Sequence, residues 1–122
     1  MHNERVAAAA LLPAVRQALD ELPGVWRIVV VDDASDDGLP EVVAQLNAEI
    51  VRLPFNVGHQ AAIRKGLQSV RDASWCFVMD GDGEDDPAAI ERLWSGRVEH
   101  GVVFARRGQR QEGLRFRLGY FA

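Results

Sequence analysis

The sequence predicts an α/β fold, a parallel sheet with crossover helices, on three observations. Helical periods alternate with short runs rich in valine and isoleucine. Each run has the length of one strand. Acidic clusters follow two of the runs, at the end where open parallel sheets collect their ligands. With 122 residues, 48% apolar and 26% charged, the chain suffices for one domain burying roughly two-thirds of its unfolded surface, and is too short for two.

The elements follow in order. From Glu4 to Leu22 the residues Val6, Leu11, Leu12, Val15, Leu19 and Leu22 keep a helical period, and Ala7–Ala10 favour helix. Pro13 is expected to kink this helix or mark a late start, and Pro23-Gly24 stops it. Val25 to Val31 reads as a strand covered on both faces. Asp32–Gly38 is a polar loop, and Pro40 suits the first turn of a helix reaching about Ala48. Glu49–Leu53 is a short strand with a turn over Pro54–Val57. A helix from about Gly58 to Arg71 should turn Ala61, Ala62, Leu67 and Val70 inward. Ser74–Met79 reads as another buried strand, with Cys76 a small core residue in it. Pro87 opens a helix to about Glu99, with Asp86 as its N-cap, and Gly101–Ala105 is a last strand. Trp26, Trp75 and Trp94 read as core, and residues 106–122 form a basic amphipathic tail. A parallel sheet normally opens on a strand, whereas this chain opens on a helix; a first strand is therefore expected to be missing.

Composition excludes several classes. No apolar run approaches the ~20 residues needed to cross a bilayer, and Ile28–Val31 has the length of a strand. A net charge of −4 argues against electrostatic nucleic-acid binding. One cysteine and a polar N-terminus without an export segment lead to the expectation of a cytoplasmic location. Threonine is absent, and Lys65 is the one lysine among fourteen basic residues.

Asp32, Asp33, Asp36 and Asp37 form the first acidic cluster. Asp80, Asp82, Glu84, Asp85 and Asp86 form the second. Crowded carboxylates repel unless a cation or hydrogen-bond donors offset them. Hard oxygen donors in the Asp80-Gly81-Asp82 arrangement suit Mg²⁺ or Mn²⁺ that also grips a diphosphate. Asp36, Asp37, Asp85 and Asp86 equally suit solvated turns and helix caps. His59 opens a helix where a ligand could approach, although capping or packing accounts for it as well. Arg106, Arg107, Arg110, Arg115 and Arg117, set against Glu112, give the tail a local charge near +4. That charge suits a solvated helix, a lid over a diphosphate or contact with an anionic membrane surface.

These segments carry a family resemblance. Val30-Val31-Asp32-Asp33-Ala34-Ser35-Asp36-Asp37-Gly38 resembles the V-V-D-D-G-S-x-D-G segment of family 2 glycosyltransferases. Asn56-Val57-Gly58-His59-Gln60, with Ala61-Ala62, resembles their N-x-G-H-Q-x-A segment. Val78-Met79-Asp80-Gly81-Asp82-Gly83-Glu84-Asp85, with Pro87, is similar to M-D-A-D-L-Q-D-P-P of the dolichol-phosphate mannosyltransferase-like branch. His2-Asn3-Glu4 resembles the end of the P-x-Y-N-E motif. Val103–Arg107 and Glu112–Arg117 resemble the family's next strand and basic loop.

The resemblance implies a partial GT-A (Rossmann-like) parallel sheet flanked by helices, lacking the first central strand. It implies one nucleotide-sugar-binding (donor) half over residues 1–122, the acceptor region lying beyond. Glu4, Asp33 and Asp80 are then expected at the nucleotide. Asp80, Asp82 and Glu84 are expected at Mg²⁺ or Mn²⁺, and Arg115 and Arg117 at phosphates. The implied partners are a UDP- or GDP-sugar and a lipid-phosphate acceptor, with the basic tail against the inner face of the membrane. Whether this chain is an enzyme by itself stays open, and a non-catalytic remnant is the alternative. A receiver-like signalling domain would also place Asp33 and Asp80 after strands. It needs a late Ser or Thr and a late Lys, however, and Lys65 precedes Asp80. A strand–D-x-D-G phosphatase would need Asp80–Gly83 near the start of the chain, and an EF-hand loop at Asp80 lacks its sixth-position glycine.

Overall fold

The computed structural model of the protein describes residues 1–99 and 101–102. Helix α1 covers Arg5–Asp20 with Pro13 inside it, strand β1 covers Val29–Asp32 and helix α2 covers Leu39–Gln45. Strand β2 (Glu49–Arg52), helix α3 (His59–Ser69) and helix α4 (Ala89–Ser95) follow. The two strands pair in parallel from Val29 opposite Glu49 to Asp32 opposite Arg52, and α2 is the crossover between them.

Alternation along β1 builds the layers. Val30 is buried with Ala8 and Leu12 of α1 and with Leu39 and Val43 of α2. Its neighbour Val31 points to the opposite face, where α3 passes so closely that a Cβ on Gly66 would stand 2.6 Å from Val31 Cγ2. A second cluster gathers Leu19, Leu22 and Ile90, with Trp26, Phe77, Met79 and Trp94 packed on it. Ile28 touches both clusters and joins them. Trp26 and Trp94 meet edge to face with centroids 5.2 Å apart, and the Arg97 guanidinium lies 3.6 Å over the Trp94 ring.

Several expectations are corrected. Ser74–Met79 is not a strand. Glu49 donates to the Ile28 carbonyl and Leu53 to the Asp32 carbonyl, so the even residues of β1 face β2. The odd residues face away, and there the described residues supply one partner. Met1 donates from its amino group to the Val31 carbonyl at 2.7 Å and accepts from Asp33 N–H at 2.7 Å, one rung of a parallel ladder. With no ladder to join among the described residues, Ser74–Met79 keeps only the two-residue alternation of a strand. Phe77 and Met79 turn inward, while Val78 and Cys76 are exposed. Cys76 is therefore not a core residue, and Trp75 stays 37% exposed.

On α3 only Ala62 is buried; Ala61 and Leu67 face solvent because one face of this helix meets a single two-stranded sheet. The last helix is shorter than expected, ending at Ser95, and Asp86 accepts from Ala88 N–H without itself being the N-cap. Gly101 and Val102 have no regular structure. The rest of the expected last strand and the basic tail, with Arg115 and Arg117, lie outside the described residues. Among the described residues no helix is long and apolar enough to cross a membrane.

Candidate functional site

At the carboxyl end of β1 the loop 32–37 organises its surroundings through its own side chains. Asp32 is fully buried; its Oδ1 accepts from Ser35 N–H at 2.9 Å, and its Oδ2 lies 3.4 Å from Arg52 Nε with no hydrogen bond. Arg52, on the neighbouring strand end, also donates to the Ser35 carbonyl at 3.2 Å. A buried carboxylate is tolerated only with such compensation. Ala34 adopts a left-handed backbone at φ 58°, turning the loop back on itself.

The same loop holds the N-terminal residues. His2 Nδ1 lies 2.7 Å from the Asp33 carbonyl; because a carbonyl only accepts, the ring carries its proton on Nδ1. Asn3 donates its N–H to Ser35 Oγ at 2.9 Å and accepts from Asp36 N–H at 3.0 Å. Asp37 accepts from Arg5 N–H at 2.9 Å and from Leu39 N–H at 3.1 Å, so one carboxylate serves the first turns of α1 and α2. Glu4 stands half-buried at the start of α1 and accepts from Ala8 N–H through its carbonyl at 2.8 Å.

Asp33 reaches in the other direction. Its two carboxylate oxygens accept from Val57 N–H at 2.7 Å and Gly58 N–H at 2.9 Å, and the residue is 5% exposed. Gly58, at φ 87° and ψ 163°, takes a conformation that glycine alone adopts easily, and α3 begins directly after it. His59 thereby stands with Nε2 3.4 Å from Asp80 Oδ1, bringing the 56–60 segment against the D-G-D segment. Asp80 N–H donates to Asp85 Oδ2 at 3.1 Å, and Glu84 N–H to Asp82 Oδ1 at 2.9 Å, while Asp82 and Glu84 face solvent.

Sequence-expected residues thus divide. Glu4, Asp33 and Asp80 border one region at the sheet's carboxyl end, and Asp82 and Glu84 lie just beyond Asp80. Among the described residues no three His, Cys, Asp or Glu side chains are gathered closely enough to hold a metal. A groove of about 540 Å³ runs along α3 beside Ile63, Arg64, Leu67 and Arg71, apart from the acidic segments. The sequence reading missed the pairing of Arg52 with Asp32 and the double engagement of Asp37. Their signal was an arginine ending one strand beside an aspartate ending the next, and an Asp-Gly step before a helix.

Comparison with known proteins decides the family. Glycosyl transferase family 2 matches residues 1–120 of the chain. The chain belongs to that family. Its two-stranded sheet and helices are a partial Rossmann-like GT-A fold. This family 2 chain is 29% identical over 119 residues to an undecaprenyl-phosphate 4-deoxy-4-formamido-L-arabinose transferase of Aeromonas hydrophila, covering 92% of the chain and 36% of that relative. It is 31% identical over 120 residues to a dodecaprenyl-phosphate galacturonate synthase of Rhizobium johnstonii, covering 92% of the chain and 35% of that relative. A second formamido-arabinose transferase, from Salmonella choleraesuis, is 28% identical, with 93% of the chain and 37% of the relative covered. The chain therefore spans about a third of the length of the curated relatives it matches. No solved structure matches it.

Proposed function

We propose that the chain forms the donor side of a polyprenyl-phosphate glycosyltransferase, binding a nucleotide-diphosphate sugar at the carboxyl end of β1. The observation that carries this reading is the convergence there of four separate segments. His2–Glu4, the 32–37 loop, Val57–His59 and Asp80 are linked by hydrogen bonds and by the 3.4 Å approach of His59 to Asp80. The relatives named above support a sugar transfer whose acceptor is a lipid phosphate.

Asp80 and Asp82 offer hard carboxylate oxygens on either side of a glycine, a donor set suited to Mg²⁺ or Mn²⁺. Two carboxylates underfill such an ion, so the diphosphate would supply further ligands; Glu84 is the next carboxylate along. A bound divalent ion would supply charge neutralisation of the leaving diphosphate. The chain's own contribution is to hold Asp80 beside His59 and to cover the inner side of the site with the 32–37 loop. On this reading the basic residues of the tail, Arg115 and Arg117 among them, contact phosphates of the donor or of the lipid acceptor at a membrane surface.

Isothermal calorimetry of the full chain with UDP- and GDP-sugars, with and without Mn²⁺, tests this. The expected result is metal-dependent binding of one nucleotide class that disappears in Asp82→Ala. A folded protein that binds neither class in the presence of Mn²⁺ overturns the proposal.

A further inference from the structure

We propose that the outer face of α3 lies on an anionic membrane surface, with Arg64 and Arg71 on lipid phosphates and Leu67 among the headgroups. The choice of a lipid as partner rests on the acceptor reading above. The face itself is read from its charge and its shape.

From Arg52 to Arg71 the chain holds Arg52, Arg64, Lys65 and Arg71 and neither Asp nor Glu, although its net charge is −4. Within this stretch Ala62 is buried on α3 and Gly66 lies against Val31, so the opposite side of the helix turns outward. Residues three and four apart share a helix face. The groove along α3 keeps that spacing, lined by Gln60, Ile63, Arg64, Leu67, Gln68 and Arg71. All six come from this segment, so no acid of another element lines it. Arg64 and Arg71 are exposed, and Leu67 between them is 44% exposed. The acid next in sequence, Asp72, is held by Arg27 at 2.6 Å. Among the described residues neither the Arg64 nor the Arg71 side chain has an ion pair or a hydrogen bond, whereas Arg16, Arg27 and Arg52 are each engaged.

Arginine suits bidentate contact with phosphate. A helix that sets cations beside exposed apolar side chains lies in the plane of an interface. An acidic protein surface would answer the arginines but not the leucine between them; a headgroup layer answers both. The placement also bears on the donor site, because α3 begins at His59, whose ring stands 3.4 Å from Asp80. With α3 flat on the membrane, that end stays at headgroup depth, and a lipid-borne phosphate reaches the site without leaving the bilayer.

Flotation of the full chain with phosphatidylcholine vesicles, with and without one-third phosphatidylglycerol, tests this at low salt. Binding is expected with the anionic vesicles alone. Each basic residue near such a surface is worth about fivefold in partitioning, so Arg64→Gln combined with Arg71→Gln should weaken binding roughly 25-fold. Unchanged binding in that double variant, as when residues 106–122 carry all of it, overturns the proposal. A loss in Arg92→Gln, an exposed arginine of α4, equal to that in Arg64→Gln overturns it too, since net charge alone would then decide. A parent that ignores anionic vesicles also refutes it, and leaves the face to an acidic protein.

A second measurement reads orientation. An environment-sensitive fluorophore on Gln68→Cys, in a Cys76→Ser background, should shift to the blue with anionic vesicles. The same label on Gln17→Cys, exposed on α1, should not. Equal shifts at both positions refute the α3 face. Neither measurement uses a nucleotide, so a failed donor site in calorimetry and a failed docking face are told apart.

Discussion

Replacing Asp37 by alanine removes acceptors from two helices at once. Helix α1 starts after Glu4 and α2 after Gly38, and neither of these N-cap residues places a side chain on its helix. Asp37 does so for both, at 2.9 Å to Arg5 N–H and 3.1 Å to Leu39 N–H. Loss of one capping side chain costs typically ~1 kcal/mol, so two give about 2 kcal/mol, with a smaller contribution from the charge near both helix starts. The losses are coupled, because Ala8 and Leu12 of α1 pack on Leu39 and Val43 of α2. For a chain of this size, ~2 kcal/mol corresponds to a fall in Tm of roughly 6–12 °C. Thermal and urea unfolding followed by circular dichroism would measure it, with Asp37→Asn expected to lose about half as much because one oxygen survives. An alanine variant within about 0.5 kcal/mol of the parent, which is the scatter of ordinary surface substitutions, would refute the double-capping argument.

Three further outcomes can be checked on the same protein. Ala34→Gly should stabilise by ~0.5–1 kcal/mol in urea unfolding. The left-handed backbone at φ 58° costs alanine about 1–2 kcal/mol, and glycine returns part of that as chain entropy. Gly66→Ala should destabilise by ~1 kcal/mol or more despite alanine's better helix propensity, since its Cβ would meet the stiff Val31 Cγ2 at 2.6 Å. Adding Val31→Ala should recover part of that clash, and no recovery would show that the close approach is not the cause. Cys76 is exposed as a residue, yet burial pushes its thiol pKa up. Because the thiolate is the reactive form, alkylation by iodoacetamide near pH 8 should be slower than for a free thiol and should rise at higher pH. A rate equal to that of a small thiol at pH 8 would contradict the shift.

Much of the fold was legible because period and punctuation agreed. The four helices and β2 fall within the segments that apolar spacing, Pro23-Gly24, Pro40 and Pro54 mark, whereas β1 begins at Val29 and not at Val25, which is fully exposed. Ser74–Met79 was misread for a physical reason. Side-chain alternation is a local property and is indeed present at Phe77 and Met79, but a strand exists only when a neighbour completes its ladder. Leu67 was misjudged similarly: helical spacing names a face, while the extent of the layer beneath decides how much of it is covered. At the site, the residue types and their order were readable. Which carboxylates face inward was not, because that depends on where the Met1–Arg5 backbone and the 57–58 turn arrive from distant parts of the chain.

The two acidic clusters, alike in composition, are neutralised by different means. In the first, Asp32, Asp33 and Asp37 each accept backbone N–H groups from other segments or from their own turn, and Arg52 stands beside the buried Asp32 oxygen. Peptide dipoles thus offset the repulsion there, the second of the two means, cation or hydrogen-bond donors, that the sequence left open. Those carboxylates work as fasteners that hold an N-terminal segment, two helix starts and a turn around one strand end. In the second cluster Asp82 accepts from Glu84 N–H and Asp85 from Asp80 N–H within short-range turns, and Asp82 and Glu84 are exposed residues. The metal site proposed for this chain is accordingly assigned to the Asp80–Glu84 side, while the aspartate run after β1 ties together the segments that border it.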